Sequence, residues 1–368
     1  MLSTLDRYLL RSLMVNYLIG LGVMLSLYVV LDMFVNMDEF TEQGYSLPVV
    51  VGNIASYYWP NLFLYFSQLC GAITLFACMA TIARMRKLNE MTAILASGVS
   101  LYRVAIPVIG FGIATTALQI LDTEWWIPHV AHKLARDHDD VDGKKTFEVL
   151  FVRDGNDALV SSRQFHPTRY DLQDLLVLVR DESGAISQTL EADRAVWVAP
   201  HGPGPIGRWR LERGRKVSRM QASAGDLGPR SQKLVTYPKY FETDLTPEVI
   251  QLRQASGWVR FLSLDQLGEL EERDGPMRSS AVRTRHARIV APFVNIVLVM
   301  LGLPFFLSRS PATVLSDAGK CMIACGMCYV STFIAQSLHT ESSSALPAWA
   351  PIFVFGTAAV VLIDRIRT

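Results

Sequence analysis

Long apolar runs without charge alternate along this chain with short basic or acidic loops. Near its middle the chain drops that pattern for short alternating segments. Charge-free stretches long enough to cross a bilayer as helices, about 20 residues each, fall at Ser12–Leu31, within Asn53–Ala83, and at Val104–Leu121. Three more fall at Ile289–Ser308, Cys321–Thr340 and Ser342–Ile363. They predict six transmembrane helices in two groups of three. Between the second and third spans lies one polar stretch, Arg84-Met-Arg-Lys-Leu-Asn-Glu-Met-Thr-Ala-Ile-Leu-Ala-Ser-Gly98. As a helix it places Met85, Leu88, Thr92 and Leu95 on one face and Arg86, Glu90, Ala93 and Ser97 on the other. Gly98 is its stop and Ser100 an N-cap for the next helix. A membrane protein rarely keeps an amphipathic helix on one face of the bilayer without something docking there.

Residues 129–255 read differently. Alternating runs at Thr146–Arg153, Ala158–Phe165, Asp174–Arg180, Ile186–Val198, Arg208–Met220 and Lys233–Thr243 are bounded by turn residues. Such turns are Asp154-Gly-Asn, Ser183-Gly, Pro200-His-Gly-Pro-Gly-Pro and Gly225-Asp-Leu-Gly-Pro. This spacing predicts antiparallel sheet in a sandwich, jelly roll or open barrel, with one face wet. A helical connector, 256–288, follows. The organisation expected is therefore spans one to three over 1–128, a β domain over 129–255, the connector, and spans four to six over 289–368.

Charge sets the orientation. Arg7 and Arg11 precede span one, and Arg84, Arg86, Lys87 and Arg103 separate two from three. Arg309 and Lys320 separate four from five, and Arg365 and Arg367 follow six, whereas Asp38, Glu39, Glu42 and Glu341 sit in the other loops. Basic residues in alternate short loops mark the cytoplasmic side. Both termini and the Arg84–Gly98 helix are therefore expected in the cytoplasm, and the β domain outside. Span one is too long for a cleavable signal peptide and no small-residue cleavage site follows it, so it reads as a signal anchor. The net charge of +1 and the lack of any basic-aromatic array give no indication of nucleic-acid binding.

Several stretches together resemble the lipopolysaccharide-export permease family of LptF/LptG type. They are Leu5-Asp-Arg-Tyr-Leu-Leu-Arg11, Leu88-Asn-Glu-Met-Thr-Ala-Ile-Leu-Ala-Ser-Gly-Val-Ser100, Arg285-His-Ala-Arg-Ile-Val-Ala-Pro-Phe293, Leu301-Gly-Leu-Pro304 and Leu346-Pro-Ala-Trp-Ala-Pro351. The resemblance implies a six-span permease of the bacterial inner membrane with a periplasmic domain of jelly-roll type. It implies a second permease subunit, a cytoplasmic ABC ATPase dimer, a periplasmic β-jellyroll bridge protein, lipopolysaccharide as cargo and no cofactor. Arg84, Arg86, Asn89, Glu90, Met91, Leu95 and Gly98 would then form the coupling helix on which the ATPase acts. Asn36-Met-Asp-Glu-Phe40 is acidic where family members often place basic residues for lipid phosphates. A rival reading is a membrane-anchored receptor or assembly factor, which would have no need of the helix between spans two and three.

Each candidate residue has a plainer reading beside the functional one. Glu90 is either a coupling carboxylate or a solvated charge balanced by Arg86 one turn back. On that second reading Arg86 makes only an exposed intrahelical pair. Arg283, Arg285, His286 and Arg288, at the external end of span four, would hold lipid phosphates bidentately or simply anchor the helix at the interface. Asp32, near the external end of span one, needs a partner if buried and could take one of these arginines. It is the one acid expected well within a span. Cys321-Met-Ile-Ala-Cys-Gly-Met-Cys328 has a spacing seen in iron–sulfur enzymes, but on a membrane helix it makes a small face beside Gly319 and Gly326 suited to close packing. His138-Asp-Asp-Val-Asp-Gly143 lacks the first and twelfth ligands of a calcium loop and reads as a turn. Tyr57-Tyr-Trp-Pro60 and Trp125-Trp-Ile-Pro128 read as interfacial aromatic belts. No phosphate loop, nucleophile elbow or paired-histidine motif occurs, so hydrolysis of ATP is assigned to a separate partner.

Overall fold

The computed structural model describes residues 3–37, 47–135, 145–154, 158–181, 185–199, 207–219, 233–255, 257–272, 277–307, 314–337 and 346–364. The acidic residues from Asp38, the His138–Gly143 segment, Arg309, Glu341, Arg365 and Arg367 lie outside the described residues, as do the turns around Gly155, Gly184, Gly202 and Gly225. The chain divides into two compact units: Met1–Met37, Tyr58–His129 and Val259–Thr368 form one, Asp38–Tyr57 and Val130–Trp258 the other.

The first unit is helical. Its long elements are α1 (Thr4–Val35), α2 (Leu47–Lys87) from Tyr58 onward, α4 (Leu101–Leu121), α8 (Arg278–Phe306), α9 (Val314–Ser337) and α10 (Leu346–Asp364). A seven-residue α3 (Glu90–Ala96) joins α2 to α4. Among the described residues six helices are long and apolar enough to cross a membrane, one of them α4 continued to Leu134. That continuation passes through a π-helical turn, Asp122–Trp126, into α5 (Ile127–Leu134), so the third span runs well past Leu121. A capping box of Ser3 and Asp6 starts α1. At 41 residues α2 is about 60 Å long, twice the hydrocarbon thickness, so part of it stands clear of the lipid.

The hub of this unit is α8, which packs against α4, α9, α10 and α7 (Leu264–Glu272). Half of its most apolar stretch is buried, against 6% for α1. Lipid tails are as apolar as leucine, so small residues and polar bonds must fix which faces meet. A side chain at Gly71 of α2 would collide with the Asn295 amide of α8, and one at Gly302 of α8 with Leu75 and Cys321. One at Gly112 of α4 would lie against Val299, at a looser 3.3 Å. Cys321, Cys325 and Cys328 are buried along α9, whereas Gly319 and Gly326 face open space. The close approach of α8 and α9 therefore depends on Gly302 and the thiols.

The second unit carries, among the described residues, an antiparallel sheet of eight strands in the order β1-β2-β3-β4-β5-β8, with β6 pairing β4 and β7. The strands are β1 (Phe147–Arg153), β2 (Leu159–His166), β3 (Asp171–Arg180), β4 (Ile186–Val198), β5 (Gly207–Glu212), β6 (Arg215–Arg219), β7 (Lys233–Thr236) and β8 (Tyr240–Thr243). The run Arg208–Met220 is thus divided at Arg213-Gly214, where Arg213 takes φ 56°. Both halves keep one register on β4, with Glu212 opposite Arg194 and Arg215 opposite Glu191. The run Lys233–Thr243 is likewise divided, at Tyr237–Lys239. Strict alternation survives in β5, where Gly207, Trp209 and Leu211 point inward and Arg208, Arg210 and Glu212 outward. Trp209 stacks edge-on against Trp197 and donates its indole N–H to the Leu245 carbonyl at 3.0 Å.

Candidate functional site

The segment Arg84–Gly98 is not one helix. Arg84, Met85, Arg86 and Lys87 are the last residues of α2, and the chain breaks at Leu88-Asn89 before α3 begins at Glu90. Asn89 makes the break: it sits in the left-handed region at φ 58°, a conformation asparagine tolerates better than most residues. Gly98 at φ 84° ends α3. The Val99 N–H reaches the Ile94 carbonyl and the Gly98 N–H the Leu95 carbonyl, the paired bonds of a Schellman stop. The break turns the expected faces. Met85 and Met91 are buried, Ile94 and Leu95 pack against the core, and Leu88 and Thr92 are exposed.

The charged residues of this segment do not pair with each other as the sequence suggested. The Arg86 Nη1 bonds Asp317 Oδ2 of α9 at 2.6 Å, with side-chain exposures of 14% and 7%. This is an inter-helix pair that the 231-residue separation hid. Glu90 Oε2 accepts a 2.7 Å hydrogen bond from the Tyr8 hydroxyl of α1. Arg103 of α4 reaches Asp6 of α1 at 2.8 Å. Arg84 stays exposed. One end of the helical unit therefore carries a short helix tied by its flanking charges to α1 and α9.

The arginines predicted near the start of span four all lie on α8, which begins at Arg278. Arg285 pairs with Glu271 of α7 at 2.6 Å, and Arg283 is exposed. His286 is half-buried. Arg288 is the most enclosed: it donates to the carbonyls of Thr123, Arg260 and Leu262 and lies 3.4 Å from Glu124. Glu124 in turn accepts the Leu264 N–H at 2.8 Å. Arg288 thus ties the π-helical turn to the 3-10 turn before α7, a role beyond phosphate binding or interfacial anchoring. Asp32 accepts a 2.9 Å hydrogen bond from Tyr58 of α2, while Arg285 and Arg288 bind Glu271 and Glu124.

A polar path through the bundle escaped the sequence reading. Asn295 donates to Gln119 at 2.5 Å, Gln119 donates to the Ser67 carbonyl at 2.7 Å, and Thr74 to Thr115 at 3.0 Å. Asp122 is fully buried, and neither carboxylate oxygen has a partner among the described residues. Asp32 is therefore not the one acid inside a span. The spacing Thr115, Gln119, Asp122 was the available signal, since positions four and three apart share a helix face. A cavity of about 400 Å³ opens beside this path, lined by Gln68, Gln119, Asn295, Thr332 and Gln336, with Arg260 and Arg288 also in its wall. In the sheet unit Arg194 is held above the ordinary arginine range by its 2.7 Å bond to the buried Asp171.

Six membrane-crossing helices with an antiparallel sheet inserted in the chain between them define a multi-pass membrane protein. The model of the lipopolysaccharide export system permease LptF/LptG family matches residues 7–365, nearly the whole chain, and the protein belongs to that family. It is a permease component of lipopolysaccharide export. No curated protein matches the chain.

Proposed function

We propose that this chain is one membrane subunit of an ATP-driven exporter that takes lipopolysaccharide, or a related anionic glycolipid, from the bacterial inner membrane. It works with a second permease subunit, identical or related, and a cytoplasmic ATPase dimer that docks on α3. The sheet unit, of jelly-roll type by its family, lies in the periplasm and passes lipid to a β-jellyroll bridge protein. The cavity for lipid lies between the two permease subunits, lined by their outer helices. That arrangement fits α1, whose apolar side chains are left largely uncovered. Asp32, Arg285, His286 and Arg288 are the groups proposed to meet the lipid head group.

The observation that carries this reading is α3 with its joint to α2: a short helix with an exposed outer side, set between two spans, bound to α1 through Glu90 and preceded by Arg86, which ties the end of α2 to α9. A helix that only closed a loop would need neither tie. Thiol labelling tests the orientation on which everything else depends. All five native cysteines are buried, so introduced ones stand out. A cysteine at Tyr237, which is 76% exposed, is expected to react with an impermeant reagent in intact spheroplasts, and one at Asn89 only after permeabilisation. The reverse pattern would put α3 on the side without ATP and end the coupling reading.

A further inference from the structure

Backbone hydrogen bonds run across the joint between α2 and α3. The Leu88 N–H reaches the Arg84 carbonyl, the Asn89 N–H that of Arg86, and the Ala93 N–H that of Asn89. Buried methionines, Met85 and Met91, hold the chain on both sides of it. A push on α3 therefore reaches the end of α2 without being lost in a slack loop. At that end stands Arg86, and its guanidinium grips Asp317 in the first turn of α9. The two side chains are nearly sealed from water. Such a pair is a poor source of stability compared with apolar side chains of the same volume. What it provides is a directional bond in one register, resisting displacement both toward and away from α9.

We propose that the Arg86–Asp317 pair is the link through which displacement of α3 is passed to α9, so that both are positioning residues for coupling ATP turnover to lipid movement. The proposal rests on the coupling reading of α3. It separates two ties at this joint, that of α3 to α1 through Tyr8–Glu90 and that of the end of α2 to α9 through Arg86–Asp317. Of the two, the second is the better shielded, since the Tyr8–Glu90 bond is exposed. Asp317 also sits where a helix N-terminus favours negative charge, so the carboxylate is held ready whether or not Arg86 is in place.

The test uses the full chain assembled with its second permease subunit and ATPase in proteoliposomes, with ATP hydrolysis and lipid delivery to an acceptor measured in the same sample. Asp317→Asn and Arg86→Gln are expected to assemble normally and hydrolyse ATP, yet deliver about tenfold less lipid per ATP, the ratio that corresponds to losing 1.4 kcal/mol of coupling. Asp317→Glu, which keeps the charge, should retain coupling, and the swap Arg86→Asp with Asp317→Arg should recover most of it. Wild-type lipid per ATP in the single variants would overturn the proposal. So would a parallel fall in assembly, hydrolysis and delivery, which is what a purely structural pair produces, or equal behaviour of Asp317→Asn and Asp317→Glu. Glu90→Ala in the same assay separates this from the parent reading. Coupled transport in Glu90→Ala with uncoupling in Asp317→Asn would refute Glu90 as the point at which α3 is driven and keep the pair as a link. Uncoupling in Glu90→Ala with coupled Asp317→Asn would refute the pair alone.

Discussion

The helical unit and the sheet unit use the same apolar side chains to opposite ends. In β5 an apolar residue means inside: Trp209 and Leu211 are buried and their neighbours Arg208 and Arg210 are not. In α1 it means little, since Leu18, Val23, Leu27 and Leu31 are all exposed, as a lipid or subunit face requires. The membrane helices are instead told apart by what is rare in them, namely close-approach glycines, hydroxyls, amides and a few charges. Hydrophobic pattern specifies the sheet. Polar bonds and small residues specify the bundle.

The contrast can be broken at its extremes. Trp209→Ala should be the most damaging change in the sheet, costing about 3–5 kcal/mol by cavity formation, read as a lowered unfolding midpoint of the sheet unit. Arg288→Ala should be the most damaging polar change in the bundle. It strands three backbone carbonyls and Glu124, for about 3 kcal/mol after allowance for partial solvation. Arg288→Lys should recover only part of that, because an ammonium cannot span the same acceptors with a planar fork. A phosphate-binding role would add a loss of lipid crosslinking to Arg288→Ala beyond any loss of thermal stability. Gly71→Ala should cost about 1–3 kcal/mol through overpacking against Asn295, measured as the temperature at which the detergent-solubilised chain aggregates. At the bottom of the scale Arg213→Ala removes a pair with Asp193 whose side chains are 85% and 57% exposed. Such surface pairs contribute from about zero to 1 kcal/mol, so its unfolding midpoint should barely move.

The same contrast explains what could be read from the chain alone. Charge-free runs revealed all six spans, because a bilayer tolerates few charges. They did not reveal helix ends, because a helix can run on into water: α8 starts at Arg278 and the third span passes through Asp122 to Leu134. The strands were legible by alternation, but the break at Arg213-Gly214 was not, since the pairing register continues across it. In the candidate site, Gly98 was readable as a stop because a glycine at φ 84° has a local cause. The partner of Arg86 was not readable. It sits 231 residues away, and local spacing favoured Glu90, which instead faces Tyr8.

Whether α3 receives the force of ATP hydrolysis through Glu90, as proposed, is tested by two variants in the reconstituted exporter. Tyr8→Phe removes only the exposed intramolecular hydrogen bond and should leave lipid transfer close to wild type, since such bonds contribute about 1 kcal/mol at most. Glu90→Ala also removes the carboxylate that would meet a basic residue of the ATPase. Truncating one partner of a desolvated, hydrogen-bonded charge pair costs about 2–5 kcal/mol, which predicts transfer from proteoliposomes to an acceptor reduced well beyond tenfold, with the chain still inserted in the membrane. Transfer by Glu90→Ala at the wild-type rate would make Glu90 an ordinary surface charge and contradict the claim.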